Sequence, residues 1–163
     1  MSARAAAGRG GAVLACALAA VAGCRSAPPP ADLPRPDEVI ALLERGGSSN
    51  VAATSDDARD PALRPHAYAL PPVETAHAVV DAIDSLPRWE VMAGRSGVIW
   101  ATRRTRFLRF VDDVYLLLLP SHDSTVIYAR SASRAGRYDF GQNRRNLAEL
   151  WAALDRSAER RTP

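Results

Sequence analysis

The densest set of chemistry-bearing side chains lies near the C-terminal end, in Arg130-Ser131-Ala132-Ser133-Arg134-Ala135-Gly136-Arg137-Tyr138-Asp139-Phe140-Gly141-Gln142-Asn143-Arg144-Arg145, with Phe110-Val111-Asp112-Asp113-Val114 upstream. Guanidinium, hydroxyl and carboxylate groups in this mixture have three uses. They can satisfy one another as an internal clasp, in which Arg130 and Arg134 pair with Asp112, Asp113 and Asp139, because buried charges need partners. They can hold an anion, with Ser131, Ser133, Arg134 and Arg144 converging on a phosphate or carboxylate at the start of the last helix. They can also serve an enzyme, with Asp112, Asp113 or Asp139 as acid or base and the arginines gripping an anionic substrate. Asp139 or Asn143 is positioned to cap the last helix. Arg144 and Arg145 then fall in its first turn, where a cation opposes the helix dipole unless an anion or acid lies between; that conflict is what keeps the anion site in view.

The other reactive side chains are scattered. His66, His77 and His122 stand alone, without the spacing of a zinc site, so no metal is expected. Ser121-His122-Asp123 has the residue types of a catalytic triad, but consecutive turn residues cannot converge as a triad must. Neither a G-x-S-x-G elbow nor a phosphate-binding glycine loop occurs, so no catalytic assembly and no cofactor is expected.

Hydrophobic periodicity supplies the scaffold. A short helix is predicted from Asp37 to Arg45, stopped by Gly46-Gly47. Residues 48–73 show no periodicity and read as one long connection. Ala76, Val79, Val80 and Ile83 define a helix from Glu74 to Ser85. Strands follow at Trp89–Ala93, Val98–Arg104, Phe107–Leu119 and Thr125–Ser131, with turn signals at 94–97 and 120–124. Leu147, Leu150, Trp151 and Leu154 mark one face of a final helix from Asn143 to Ala158. Trp89, Trp100 and Trp151 are expected between the sheet and the helices. The order predicts an α+β, two-layer sandwich: a four-stranded antiparallel meander covered by two helices. If its last two strands pair with Leu118 near Val126, Asp112 and Asp113 fall near Ala132 and Ser131, within reach of Arg130.

The phenylalanine and paired aspartates on one strand, and the RSxSRxG…DxGxNR run that joins the last strand to the last helix, resemble the bacterial and plastid domain of unknown function 1499. The resemblance covers about Ser48 to Asp155. The chain departs at Ser49-Asn50-Val51-Ala52-Ala53, where relatives tend to have an Asn-Cys-Val-Ser-Ser type of segment. The resemblance implies the α+β fold and brings no established activity.

The front of the chain reads as an address. Residues 1–23 carry Arg4, Arg9 and no acid, then an apolar stretch at 12–22, too short to span a bilayer. Val21-Ala22-Gly23-Cys24 resembles a bacterial lipobox, which implies cleavage before Cys24 and lipidation of its thiol. Cleavage after Ala20-Val21-Ala22 is the alternative, and would release a soluble periplasmic protein. On the lipobox reading, 1–23 is a signal peptide, 24–36 a lipidated proline-rich linker and 37–163 a single domain. Five prolines in 25–36 make a spacer of roughly 35 Å. With Cys16 removed and Cys24 lipidated, the mature domain has neither a disulfide nor a thiolate site.

The net charge of +3 conceals a division: residues 24–87 carry −5 and residues 88–163 carry +6. All 21 basic residues are arginine. In an exported chain the basic half is not read as a nucleic-acid site; an anionic lipid, a small molecule or an envelope protein is the expected partner, beside the membrane itself. The expected location is the bacterial cell envelope, lipid-anchored to the outer membrane and facing the periplasm. The leading expectation is a non-catalytic binding or accessory domain; the enzyme and a purely structural protein are its alternatives.

Overall fold

The computed structural model describes residues 28–106 and 109–161. The expected signal peptide, Cys24 and the front of the linker lie outside the described residues, as do 107–108 of the third expected strand and 162–163.

The described residues form three helices and six strands: α1 (Pro36–Glu44), β1 (Val51–Ala53), β2 (His66–Tyr68), α2 (Pro72–Asp84), β3 (Trp89–Arg95), β4 (Val98–Arg104), β5 (Val111–Ser121), β6 (Ser124–Ser133) and α3 (Gln142–Glu159), with a 3-10 turn at Pro61–Leu63. The strands make one antiparallel sheet in which β3, β4, β5 and β6 lie in sequence order. This is the expected meander. Its β3–β4 hairpin turns through Ser96 and Gly97, both at positive φ (53° and 79°), the backbone that a two-residue turn between twisted strands requires.

The outer edge of β6 carries two further strands that periodicity does not reveal. β1 pairs with 130–132 and β2 with 125–127, so the 48–73 segment closes this edge rather than looping free of it. Three residues are too few to show alternation. Among the described residues no strand pairs with the opposite edge, β3; its register shifts between Val91 and Ala93, leaving Met92 as a bulge.

Both sheet faces are covered, which replaces the expected two layers and two helices. α2 and α3 pack on Ile99, Ala101, Val114, Leu116, Leu118 and Ile127, with Trp89 and Trp151 in the same layer. On the other face α1 inserts Val39 against Val98, Trp100, Tyr115 and Leu117. The long apolar run of β5 follows from this arrangement, because a strand buried on both sides has no polar face to alternate with. β5 and β6 turn at His122-Asp123, placing Leu118 opposite Ile127 and Leu119 opposite Val126. The expected register is one residue off.

Candidate functional site

Successive residues of a strand point to opposite faces, so β5 sends Asp112 under α3 and Asp113 toward the α1 side. The ladder sets Arg103 and Ser133 on either side of Asp112, and Thr102 and Ala132 on either side of Asp113.

Under α3, Asp112 is 1% exposed and is held by neutral donors. Ser133 Oγ donates to its Oδ1 at 2.6 Å and Asn146 Nδ2 to its Oδ2 at 2.8 Å. Ser131 Oγ donates to Asn143 Oδ1 at 2.6 Å, and Asn143 Nδ2 donates to the Asn50 carbonyl at 2.7 Å and to Ser133 Oγ at 3.0 Å. Asn50 Nδ2 in turn holds the Gly136 carbonyl, and Ser49 Oγ that of Arg137. Ser49 and Asn50 thus tie down the motif loop. Asp139 caps α3: its Oδ2 accepts from Asn143 N at 2.7 Å and its Oδ1 from Gly141 N at 2.9 Å. An acid already occupies the positive helix end where an anion is expected.

On the other face Arg134 forks onto Asp113, Nε to Oδ2 at 2.7 Å and Nη2 to Oδ1 at 2.6 Å, while Trp100 Nε1 donates to Oδ1 at 2.9 Å. This hydrogen bonding raises the Arg134 pKa further. Burial, with the nearby Asp113 charge, pushes the Tyr115 phenol up to about 12. Arg130 does not join the expected clasp. It stands opposite Tyr115 in the ladder, and among the described residues it forms no ion pair and its buried Nε has no hydrogen-bond partner. Burial pulls its pKa below the usual guanidinium range. Arg144 pairs with Asp60 and holds that carboxyl below its usual range, so Arg144 too is directed away from the helix start.

Of the expected site residues, Asp112, Ser133 and Asp139 share one cleft. Ser131 and Asn143 sit in the network behind it. Asp113, Arg130 and Arg134 lie across the sheet, and Arg144 lies at Asp60. The cleft, about 470 Å³, opens between Thr105, Arg106 and Phe110 on one side and the 134–141 loop on the other. Arg103 and Asp112 line its floor, Phe110 and Ala135 its walls, and Tyr138 and Phe140 its rim. The two rim aromatics are 70% and 88% exposed. Phe140 has φ 52° and Gly141 φ 76°, and Arg145 Nη1 fastens the Phe140 carbonyl at 3.0 Å. A bulky residue in the left-handed region is unusual and marks a turn or a strained backbone.

Arg103 is the residue the motif did not reveal. It is 9% exposed, its Nε is buried without a hydrogen-bond partner among the described residues, and its ion pair is a long one, 3.9 Å to Glu149. It makes no ion pair with Asp112, its neighbour across the ladder. The sequence does carry a signal for it: Ile99, Ala101 and Arg103 share the inward face of one strand, and an inward arginine demands a reason. Among the described residues no group of three or more His, Cys, Asp or Glu side chains could hold a metal, and no helix is long and apolar enough to cross a membrane.

A family model described as "Protein of unknown function (DUF1499)" matches residues 32–154. No curated protein matches the chain. Among solved structures, the crystal structure of TTHA0849 from Thermus thermophilus is 11% identical and covers 61% of this chain and 97% of its own, with a TM-score of 0.36. That likeness is too loose to argue from.

Proposed function

The chain belongs to the DUF1499 family of proteins of unknown function, and from that premise we propose that it is a non-catalytic binding domain, anchored in the bacterial envelope by a lipid on Cys24, whose cleft holds an anionic ligand. On this reading residues 1–23 are the signal peptide, 24–36 the spacer and 37–163 the domain, held at the outer membrane and facing the periplasm. The observation that carries it is the under-satisfied, nine-tenths buried Arg103 at the floor of an open cleft rimmed by exposed aromatics. A buried polar group without partners calls for an explanation, and a ligand supplies one. The ligand site is therefore proposed at the cleft, not at the start of α3.

The carboxylates favour binding over proton transfer. Asp113 is committed to Arg134 and Trp100, Asp139 to two backbone N–H groups, and each Asp112 oxygen already accepts a hydrogen bond. The clasp coexists with the site: the Arg134–Asp113 fork and the Asp112 network hold the cleft in shape.

Native mass spectrometry of the protein released from its own host's envelope tests the reading. A reproducible added mass should appear, and should vanish in a Tyr138→Ala/Phe140→Ala variant, whose exposed side chains contribute little to the fold. A wild-type protein with no added mass would favour a purely structural role.

A further inference from the structure

The composition of the cleft floor restricts the kind of ligand that fits it. Arg103 and Asp112 face each other across β4 and β5 without pairing, so a cationic donor group and a carboxylate acceptor lie side by side, both buried. Each Asp112 oxygen accepts one hydrogen bond, from Ser133 or Asn146, and a carboxylate oxygen has room for a second. Arg103 and Asp112 by themselves sum to a formal charge of zero, and Glu149, 3.9 Å from Arg103 Nε, adds a further negative charge beside them. Among the described residues that line the cleft are three arginines (Arg103, Arg106, Arg145) and two aspartates (Asp112, Asp139). A doubly charged anion would gain Arg103 and meet Asp112 at the same depth. A singly charged group carrying a donor on the adjacent atom satisfies both. Phe110, Tyr138 and Phe140 then offer apolar and aromatic surface above it, and about 470 Å³ is the size of a small-molecule site.

We propose that the cleft takes a small organic acid with one carboxylate, a hydroxyl group on the neighbouring carbon, and an apolar body: an α-hydroxy acid. The carboxylate meets Arg103, the neighbouring donor meets Asp112, and the body lies between Tyr138 and Phe140. This rests on the binding reading above and names its ligand class.

Isothermal titration calorimetry on the full chain purified in detergent, with three probes, tests it. Phenyllactate carries the carboxylate, the neighbouring hydroxyl and a ring; phenylpropionate lacks only the hydroxyl; phenyl phosphate replaces the acid by a dianion. Phenyllactate should bind roughly tenfold or more tighter than phenylpropionate, since an added hydrogen bond to a charged group is gained, and phenyl phosphate should bind weakest. Arg103→Met should abolish binding of phenyllactate while leaving the melting temperature of the ligand-free protein unchanged or raised, because the variant removes an under-satisfied buried cation and keeps its apolar stem. Arg103→Lys should fold and bind more weakly. Equal affinity for phenyllactate and phenylpropionate, or a preference for phenyl phosphate, would overturn the proposal. So would a marked fall in melting temperature in Arg103→Met, which would make the residue a structural one. If none of the probes binds while the host-derived added mass persists and depends on the rim aromatics, the ligand class fails and the cleft reading stands.

Discussion

Asp112 and Asp113 are adjacent in sequence and live in different electrostatic worlds. Asp113 is neutralised by a bidentate guanidinium, whereas Asp112 is held by a serine and an asparagine. Arg134→Ala should therefore cost about 3 kcal/mol by leaving a largely buried carboxylate unpaired, read from urea melts. Arg130→Met should cost less than ~1 kcal/mol, because Arg130 has no ion pair to lose among the described residues. A large loss in the second variant and none in the first would reverse the two assignments. The motif shows that arginines and aspartates have to meet here, but not which. A one-residue change of register exchanges the faces of a strand, and the expected register is off by one. That error puts Asp112 in place of Asp113 on the face that Arg130 and Arg134 share; of the two expected arginines, Arg134, just beyond β6, is the one that reaches Asp113.

At the scale of elements, α1, α2, β3, β4 and α3 lie close to where periodicity and turn residues put them. β1 and β2 do not appear in the sequence because long-range partners hold them, not any local pattern. Thr54 and Ala129 exchange hydrogen bonds, with Thr54 N donating to the Ala129 carbonyl and Ala129 N to Thr54 Oγ1, both at 2.9 Å. Tyr68 donates to Asp155 at 2.7 Å, and Trp151 Nε1 donates to the Ala62 carbonyl at 3.0 Å while its ring stacks on His66 at 4.3 Å. Asn143 is the joint between this covering segment, β6 and α3. Asn143→Ala should cost roughly 2–3 kcal/mol through the buried partners it strands. In hydrogen-exchange measurements on this variant the amides of 51–53 should lose protection before those of β5. Unchanged protection there would mean that backbone pairing alone holds the segment.

Over the whole molecule, the acidic front and basic back of the chain are folded onto each other. Arg161 reaches Glu74 and Asp81, and Arg144 reaches Asp60, so part of the charge division is neutralised between α2 and α3 and at the 3-10 turn. These exposed pairs add little stability individually. The anchor is tested at this scale: Cys24→Ser should move the protein from the membrane fraction to the soluble periplasm, and continued membrane retention would count against lipidation. The β3 edge of the sheet has a bearing on how the domain behaves in crowds. A bare strand is a template on which another copy can add its own strand, and growth from copy to copy ends in aggregates. Here β6 is sealed by β1 and β2, and the edge that remains, β3, is broken at Met92 and carries Glu90 and Arg95. The molecule can be concentrated without presenting its neighbours a straight rail to polymerise along.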